Sequence, residues 1–492
     1  MFPKKKVIVF FMENITIVER PSKRKSEAAA PPQTEADETL DLKTQQGTVL
    51  RGEYAVPMTS LPRLWKKSWW FQKLTVCPRA SGSPKVVPVP FPVYHETETH
   101  LLLPKFLGLQ WCGAPERDER SSGEKEEFVF QGTLSNTKER PQQQAHDLCF
   151  KQLGETGGAL LVLPCGFGKT VVSLAVAASL KRKTLVIVTS VELARQWMER
   201  IAQFLGCEVG MIQEDKYCTD KPVTVAMLQT LLRRKPDLSP FGTCIADEAH
   251  HVAARSFSQV MPLVPCRYIL GLSATPNRKD GLKRVLFWTL GPLAFKAERQ
   301  DSDSPNVMQC VVTEGARRVI TYKNGEVGRS KMITLLTQDG SRNRFIVHMV
   351  NMVLRTNSQR KVLMLTERRE QAKALVELLQ AQWSCGIMLG GMKEADIERE
   401  KEAQVLLSTY HYCSEGFDLP RLDTLVLLSP RSDVEQSVGR VLRQHPDKQK
   451  PLILDFVDNF SVFEPQSEKR ISYYRKLKSC IKTYQQTELL KK

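Results

Sequence analysis

Short apolar runs alternate with helix-like segments along the chain from about residue 139 onward. A short, fully apolar run is typical of a strand buried on both faces of a parallel sheet, because no polar residue alternates with the apolar ones. Helical segments that follow each run would cover the two faces of that sheet, which is the order of an α/β fold. The predicted strands are 159–163, 184–189, 223–226, 243–246, 268–272, 361–366, 405–408, 424–428 and 452–456.

The predicted strands form two groups, and a less regular stretch separates them. We therefore predict an α/β fold with two parallel-sheet domains in tandem. Before them, short β-like runs broken by proline and glycine indicate a small β-rich domain. Apolar residues 7–12 indicate a strand rather than a signal peptide. The predicted divisions are 1–46 for the N-terminal strand and a flexible segment, 47–135 for the β-rich domain, 136–295 for the first α/β domain, 296–330 for a linker and 331–492 for the second α/β domain.

The chain has 492 residues and a formal net charge of +17. Such a surplus favours a polyanionic partner, because each neutralised phosphate releases counterions; charge that serves only solubility is the alternative. No C-x-x-C pair occurs among the 12 cysteines, which argues against a zinc site and favours reduced thiols in an intracellular compartment. No apolar run reaches about eighteen residues, so we expect no membrane span. The basic cluster Lys23–Lys25 fits a nuclear localisation signal or a solvated tail.

A glycine-containing loop follows the first predicted strand of the first α/β domain. Glycines allow backbone N–H groups to approach phosphate oxygens, and the N-terminus of the following helix adds partial positive charge. Lys169 would reach the β- and γ-phosphates, and the Thr170 hydroxyl would be a ligand of Mg²⁺. A glycine turn before a surface helix is the alternative. The candidate ATP-binding residues of this loop are Leu163, Pro164, Cys165, Gly166, Phe167, Gly168, Lys169 and Thr170.

An acidic pair follows the predicted strand 243–246 and begins a D-E-A-H sequence. A carboxylate at the end of a buried strand costs free energy unless it serves a site. We expect Asp247 to hold Mg²⁺ through water and Glu248 to polarise the attacking water; acids at the start of a helix are the alternative. The candidates for coupling the nucleotide site to the second domain are His250, Ser273 and Thr275.

Two arginines of the second domain, Arg440 and Arg443, lie three residues apart on one face of a predicted helix. Two cations on one face can stabilise the charge that develops on the γ-phosphate in the transition state; a solvated basic helix is the alternative. The loop after strand 405–408 lies where sheets of this kind bind ligands. Further ATP-binding candidates in this domain are Gly416, Asp418 and Gln436.

Taken in order, these motifs resemble those of the superfamily 2 helicases over about residues 139–475. The sequences G-L-S-A-T-P-N-R-K-D-G-L and Q-S-V-G-R-V-L-R resemble the XPB-like branch. The loop P-C-G-F-G-K-T is similar to that of the poxvirus transcript-release helicase type, so the helicases of large DNA viruses and phages are the most similar group. R-P-Q-Q resembles the adenine-reading motif, which adds Arg140 and Gln143 to the ATP-binding candidates; Gln142 stands where that motif usually has an aromatic residue.

The resemblance implies two RecA-like domains that hold ATP and Mg²⁺ between them and move along a strand by cycles of closing and opening. It implies DNA as the partner, as a single strand or a duplex junction, and 3′→5′ movement. It also implies contacts that are mostly to phosphates and therefore independent of base sequence. The nucleic-acid contacts implied in this way are Thr189, Ser190, Gln229, Thr230, Arg368 and Thr409.

Several alternatives share these motifs. A duplex DNA translocase or a transcript-release factor, acting on a transcription complex, would carry the same residues without separating strands. An RNA helicase would also carry the D-E-A-H sequence. A nucleic-acid-binding protein that does not hydrolyse ATP is a further alternative, although the acids and arginines of an active site are all present in the sequence. We expect an intracellular protein, in the nucleus or at a viral replication site.

Overall fold

The computed structural model forms two compact units, one ending at residue 297 and the other beginning at residue 304. The predicted strand 7–12 and the basic cluster Lys23–Lys25 lie outside the described residues. No helix in the described part of the chain is long and apolar enough to cross a membrane. The described residues are 46–61, 72–78, 89–138, 140–164, 166–247, 254–273, 282–297, 304–322, 324–414, 419, 421–442 and 448–489.

A small sheet, antiparallel except at one edge, opens the first unit. Its strands are short, and the polypeptide between them contains the prolines and glycines that ended each predicted β-like run. The elements are β1 (Val49–Leu50), β2 (Tyr54–Pro57), β3 (Thr75–Val76), β4 (Phe91–Pro92), β5 (His95–Glu96), β6 (His100–Leu103), α1 (Lys105–Cys112) and β7 (Arg117–Asp118). The sheet order is β5–β6–β2–β1–β7, and β3 pairs separately with β4.

The core of this small sheet is shared with the rest of the first unit. Tyr54 and Leu103 are fully buried, and they belong to the same apolar cluster as Leu282, Val285 and Trp288. These last three residues lie in or next to a helix that also packs on the large sheet described below. The β-rich region therefore has no separate core among the described residues.

A buried lysine also links this region to the large sheet. The Nζ atom of Lys105 donates hydrogen bonds to the carbonyl oxygens of Val264, at 3.1 Å, and Cys266, at 3.3 Å. Burial lowers the pKa of the Lys105 ammonium to about 8. The two bonds satisfy backbone carbonyls just before a central strand of the large sheet, where an unpaired carbonyl would cost free energy.

A mainly parallel sheet of eight described strands forms the centre of the first unit. The strands are β8 (Gly158–Val162), β9 (Thr184–Val188), β10 (Val209–Gln213), β11 (Lys216–Cys218), β12 (Val223–Met227), β13 (Thr243–Ala246), β14 (Tyr268–Ser273) and β15 (Leu293–Lys296). Strands β8, β9, β12 and β13 are buried at every residue, as expected for apolar runs with no alternation. The order is β11–β10–β12–β9–β13–β14–β8–β15, and only the β10–β11 pair is antiparallel.

Helices cover both faces of this sheet. Leu161 points into one apolar cluster and Leu160 into the other, because successive side chains of a strand alternate between faces. Helices α2, α3 and α4 cover the face of Leu161, and α5, α6 and α7 cover the opposite face. The helices are α2 (Gln142–Thr156), α3 (Lys169–Leu180), α4 (Val191–Leu205), α5 (Leu228–Arg234), α6 (Ala254–Val260) and α7 (Lys283–Leu290).

The second unit is built around a sheet whose described strands all pair in parallel. Its strands are β16 (Asn306–Val311), β17 (Val362–Thr366), β18 (Cys385–Met388), β19 (Val405–Thr409), β20 (Thr424–Leu427), β21 (Leu452–Val457) and β22 (Cys480–Gln485). The order is β18–β19–β17–β20–β21–β16–β22. Its helices are α8 (Arg329–Gln338), α9 (Gly340–Thr356), α10 (Arg369–Leu379), α11 (Glu394–Glu400), α12 (Tyr410–Ser414), α13 (Glu435–Val441), α14 (Glu464–Lys476) and α15 (Gln486–Leu489).

Six described strands of the two large sheets were not predicted: β10, β11, β15, β16, β18 and β22. Of these, β16 and β22 are neighbours in the second sheet. β16 lies in the stretch that the sequence suggested as a linker, and it pairs along its whole length with β21 and with β22. Both strands contain polar residues, and their partners lie far along the chain. The local pattern of apolar residues therefore could not reveal them.

Two buried ion pairs brace the second unit. Arg342 pairs with Asp458 at 2.9 Å, and both side chains are 1% exposed. Arg470 of α14 donates to Asp455 of β21 at 2.9 Å, and Tyr474 donates to the same carboxylate at 3.2 Å. Removing one partner of such a pair would leave an uncompensated buried charge, so these contacts fix how α9 and α14 pack on the sheet.

We expect Lys105 to make stability depend on pH. Folding lowers the pKa of its ammonium to about 8, so the unfolded chain holds this proton more tightly. Lys105 therefore destabilises the folded protein most below about pH 8, and this cost becomes smaller as the pH rises toward the unfolded pKa. Between about pH 7.5 and about pH 9.5, the unfolding free energy of the wild type should gain about 2 kcal/mol relative to Lys105→Met.

The measurement is denaturant unfolding followed by tryptophan fluorescence at several pH values. Lys151→Met is the control, because the Lys151 side chain is 73% exposed. If the wild type and Lys105→Met show parallel pH dependences, the lysine does not titrate in the folded protein as described.

Candidate functional site

The loop after β8 has the backbone that a phosphate-binding loop requires. Leu163 is fully buried at the end of the strand. Gly166 and Gly168 have φ angles of +84° and +97°, which side chains with a Cβ rarely adopt. Lys169 and Thr170 are the first two residues of α3 and are half-buried, so they lie at the positive end of the helix dipole.

Gln142, which was not among the predicted ATP-binding residues, holds this loop in place. The Gln142 side chain is 7% exposed. Its Nε2 atom donates to the carbonyl oxygen of Phe167 at 2.6 Å, and its Oε1 atom accepts from the Ser135 N–H at 3.0 Å. A Cβ on Gly168 would lie only 2.4 Å from Gln142 Nε2, so the glycine is needed for this approach.

The predicted adenine-reading residues lie beside this contact. Gln143, the residue in the motif's glutamine position, donates to Asp147 of the same helix at 2.8 Å. Arg140 lies two residues before α2, and its backbone N–H donates to Thr137 at 3.1 Å. The three consecutive glutamines gave no indication of which one reaches the loop, because this depends on where the helix begins.

The predicted metal ligand lies two strands from the phosphate loop. Asp247 follows β13 directly, is 8% exposed, and donates its backbone N–H to the Ile187 carbonyl at 3.1 Å. Its Oδ2 atom accepts a hydrogen bond from the indole Nε1 of Trp197 at 2.8 Å. Trp197 belongs to the buried stripe of α4 and is 2% exposed. The sequence alone gave no indication of this partner, which lies 50 residues away in the chain.

Ser273 joins the two parts of the site. It ends β14, is fully buried, and its carbonyl oxygen accepts the N–H of Leu163 at 2.9 Å. Because β13, β14 and β8 are adjacent and parallel, Asp247, Ser273 and the phosphate loop lie at the same edge of the sheet. The structure thus brings together the described members of the predicted nucleotide site in this unit.

Seven predicted residues cannot be placed. They include one residue of the phosphate loop, the predicted water-activating acid, two of the predicted coupling residues and three predicted site residues of the second unit. The residues that lie outside the described part of the chain are Cys165, Glu248, His250, Thr275, Gly416, Asp418 and Arg443.

In the second unit, Gln436 and Arg440 lie on α13, four residues apart and therefore on one face. Gln436 is exposed and Arg440 is half-buried. Arg440 acts electrostatically on Cys413, which is buried on α12; burial raises the pKa of the Cys413 thiol to about 11, and the arginine opposes this rise. Arg440 of α13 and Cys413 of α12, the helix that follows β19, are thus neighbours.

Three of the predicted nucleic-acid contacts form a group. Gln229 Nε2 donates to the Thr189 carbonyl at 3.1 Å, and Ser190 caps α4 by accepting the Leu193 N–H at 3.3 Å. They follow β9 and β12, which are neighbours in the sheet. Gln229 is exposed, and Thr189 and Ser190 are half-buried.

The other predicted contacts are engaged within the protein. Thr230 is 4% exposed, and its hydroxyl accepts the Glu214 N–H at 3.1 Å. Thr409 ends β19, and its hydroxyl accepts the Tyr412 N–H at 3.3 Å. The Arg368 guanidinium donates to the Ser330 carbonyl at 2.8 Å and hydroxyl at 2.9 Å, to the Thr334 hydroxyl at 3.1 Å, and to the Glu367 carbonyl at 3.1 Å. These bonds hold α8 against the end of β17.

Two RecA-like parallel sheets, a phosphate loop and an acid at the end of a strand two positions away in the same sheet define a nucleic-acid-dependent ATPase of the helicase class. The chain belongs to the superfamily 2 helicases of the group found in large DNA viruses and phages. The family described as "Type III restriction enzyme, res subunit" matches residues 136–278.

Three relatives illustrate this membership. "Putative ATP-dependent RNA helicase L396" of Acanthamoeba polyphaga mimivirus is 34% identical over 418 residues, which cover 82% of this chain and 79% of the relative. "Putative helicase 161L" of Invertebrate iridescent virus 6 is 27% identical, covering 72% of this chain and 84% of the relative. "Probable helicase D10" of Escherichia phage T5 is 28% identical, covering 63% and 70%.

The three glutamines of α2 can be separated by mutation. Gln142→Ala should weaken ATP and GTP binding equally, by about tenfold, because the loop loses a buried hydrogen bond. Gln143→Ala should weaken ATP binding while leaving GTP binding unchanged, if it reads adenine. The exposed Gln144→Ala is the control. Equilibrium binding of non-hydrolysable ATP and GTP analogues gives the measurement, and exchanged phenotypes would assign adenine reading to Gln142.

Proposed function

We propose that this protein is an ATP-driven motor that moves on DNA in the 3′→5′ direction and can separate strands. The observation that carries the proposal is the meeting of the phosphate loop, Asp247 and Ser273 at one edge of the first sheet. It would act in transcription, replication or repair, at a viral replication site or in the nucleus. The viral and phage origin of its relatives supports the viral setting.

In this proposal the nucleotide is bound by the first unit. Lys169 would neutralise the β- and γ-phosphates, and backbone N–H groups of the loop would bind their oxygens. Glu248 would orient and polarise the attacking water. Arg440 and Arg443 would stabilise charge on the γ-phosphate in the transition state. Adenine would be read by Arg140 and Gln143.

The residues present fit Mg²⁺. Magnesium prefers oxygen ligands and usually takes one or two from the protein, with water and substrate phosphates supplying the rest. The Thr170 hydroxyl and the Asp247 carboxylate are oxygen ligands at the same edge of the sheet. When bound, the ion would neutralise phosphate charge, while Asp247 and Thr170 would hold it in place.

The nucleic-acid strand would be bound at the part of the same edge that follows β9 and β12. Thr189, Ser190 and Gln229 form the group that the structure brings together there. Hydroxyl, amide and backbone groups of this kind bind phosphates without reading the bases. The net charge of +17 supports a phosphate-rich partner. Thr409 would make an equivalent contact in the second unit.

RNA is the second candidate substrate. The observation that favours it is the name of the mimivirus relative, which specifies an RNA helicase. A duplex translocase or transcript-release factor would use the same ATP site without separating strands. The preferred nucleic acid and the ability to separate strands therefore need separate measurements.

The first test is steady-state ATP hydrolysis by the purified chain without nucleic acid and with single-stranded DNA, duplex DNA or RNA of equal length. We expect stimulation by DNA and displacement of a strand only from substrates with a 3′ tail. Lys169→Ala should abolish hydrolysis, because the phosphate charge loses its partner; Lys151→Ala, on the exposed side of α2, is the control. Stimulation by RNA alone would select the RNA helicase, and stimulation without displacement would select the translocase.

Arg440→Ala should separate binding from turnover. We expect ATP affinity to change by less than about threefold and the turnover number to fall about a thousandfold, since an arginine of this type acts mainly on the transition state. Arg399→Ala, which removes an arginine that is 72% exposed on α11, is the control. An equal loss of affinity and turnover would instead make Arg440 a ligand of bound ATP.

A further inference from the structure

The bond between Trp197 and Asp247 has properties that favour a role beyond packing. The indole Nε1 and the carboxylate Oδ2 lie 2.8 Å apart, and the two residues are 2% and 8% exposed. A hydrogen bond to an ionised acceptor is stronger than one between neutral groups, and shielding from water strengthens it further.

The surroundings of Trp197 make it a rigid donor. Its ring packs in the apolar cluster with Ala194 and Ile201 of the same helix, on the face of α4 that covers the sheet. A buried indole has only two rotatable bonds, so this packing fixes the direction of its N–H group. The backbone N–H of Asp247 is held separately by the Ile187 carbonyl at 3.1 Å. Main chain and side chain of the acid are therefore each held by a neighbour.

We propose that Trp197 is a positioning residue that holds the Asp247 carboxylate in the orientation required to bind Mg²⁺ with the nucleotide. This inference rests on the proposed role of Asp247 in the ATP site. A carboxylate that can rotate must lose this freedom when the metal binds, whereas one already oriented does not. Trp197 would therefore act on metal affinity without touching either the metal or the nucleotide.

The chain offers a matched comparison for this bond. Trp383 Nε1 donates to Asn351 Oδ1 at 2.8 Å in the second unit, between residues with no predicted site role. Replacing either tryptophan by phenylalanine keeps most of the ring and removes the N–H donor. Each variant loses an indole N–H that donates to a side-chain oxygen at 2.8 Å, and only one of these oxygens belongs to the proposed metal ligand.

The experiment is equilibrium binding of ribose-labelled fluorescent ADP to the full chain over a range of MgCl₂ concentrations and in excess chelator. For the wild type we expect Mg²⁺ to tighten ADP binding. In Trp197→Phe, the Mg²⁺ concentration for half-maximal tightening should rise about tenfold, while affinity in chelator stays within about twofold. Trp383→Phe should match the wild type in both. Binding needs no turnover, so the result does not depend on hydrolysis.

Two results would overturn the inference. One is a Mg²⁺ dependence in Trp197→Phe equal to that of the wild type. The other is an equal loss of ADP affinity with and without Mg²⁺, which would mean that the tryptophan only supports the fold. If Trp197→Phe does not fold, benzothienylalanine at position 197 keeps the ring volume and also lacks the N–H, so the same titration decides the question.

Failure of the proposed function would be visible in the wild type, not in the variants. If the wild type binds no ADP, the ATP-site assignment itself is wrong, and if Mg²⁺ has no effect on wild-type binding, the metal role of Asp247 is wrong. If the wild type behaves as expected and Trp197→Phe shows the same Mg²⁺ dependence as the wild type, only the positioning role of Trp197 is lost.

Discussion

The parallel pairing of the buried strands in the first unit is the constraint on which the site depends. A strand buried on both faces must satisfy its backbone groups through its neighbours, and parallel pairing puts the carboxyl ends of all these strands at one edge. The helices cover the faces, so that edge is where the loops can carry polar groups. The apolar core thus decides where the phosphate loop and Asp247 can lie.

The order of the strands separates the proposed nucleic-acid region from the proposed nucleotide region along this edge. In the sheet order β12–β9–β13–β14–β8, the first two strands lead into the group formed by Thr189, Ser190 and Gln229. The other three lead into Asp247, Ser273 and the phosphate loop. Strands β9 and β13 are direct neighbours, so the proposed nucleic-acid and nucleotide regions meet there without any intervening element.

The sequence predicted the features that local pattern encodes and missed those that depend on distant partners. The strands of both sheets that are buried at nearly every residue followed from fully apolar runs, and the glycine loop followed from its strand and helix context. Strands β10, β11, β15, β16, β18 and β22, which contain more exposed residues, were not predicted. The pairing of β16 with β21 and β22 joins segments far apart in the chain, as does the Arg342–Asp458 ion pair. Gln142 and Trp197 were missed for the same reason: only the fold supplies the Phe167 carbonyl and the Asp247 carboxylate as their partners.

Helix α4 connects the two regions of the edge physically. Its first turn is capped by Ser190, next to the Thr189 carbonyl that Gln229 contacts, and two turns later it presents Trp197 to Asp247. Seven residues of α-helix span about 10 Å and do not stretch, so the helix must shift as a unit when its first turn moves. A strand that binds at Thr189 and Ser190 would therefore act on the same helix that orients the acid. In a nucleic-acid-dependent ATPase, a strand bound at Thr189 and Ser190 could thus influence Asp247 through one helix of a single unit. The connection uses two hydrogen bonds, Ser190 with Leu193 and Trp197 with Asp247.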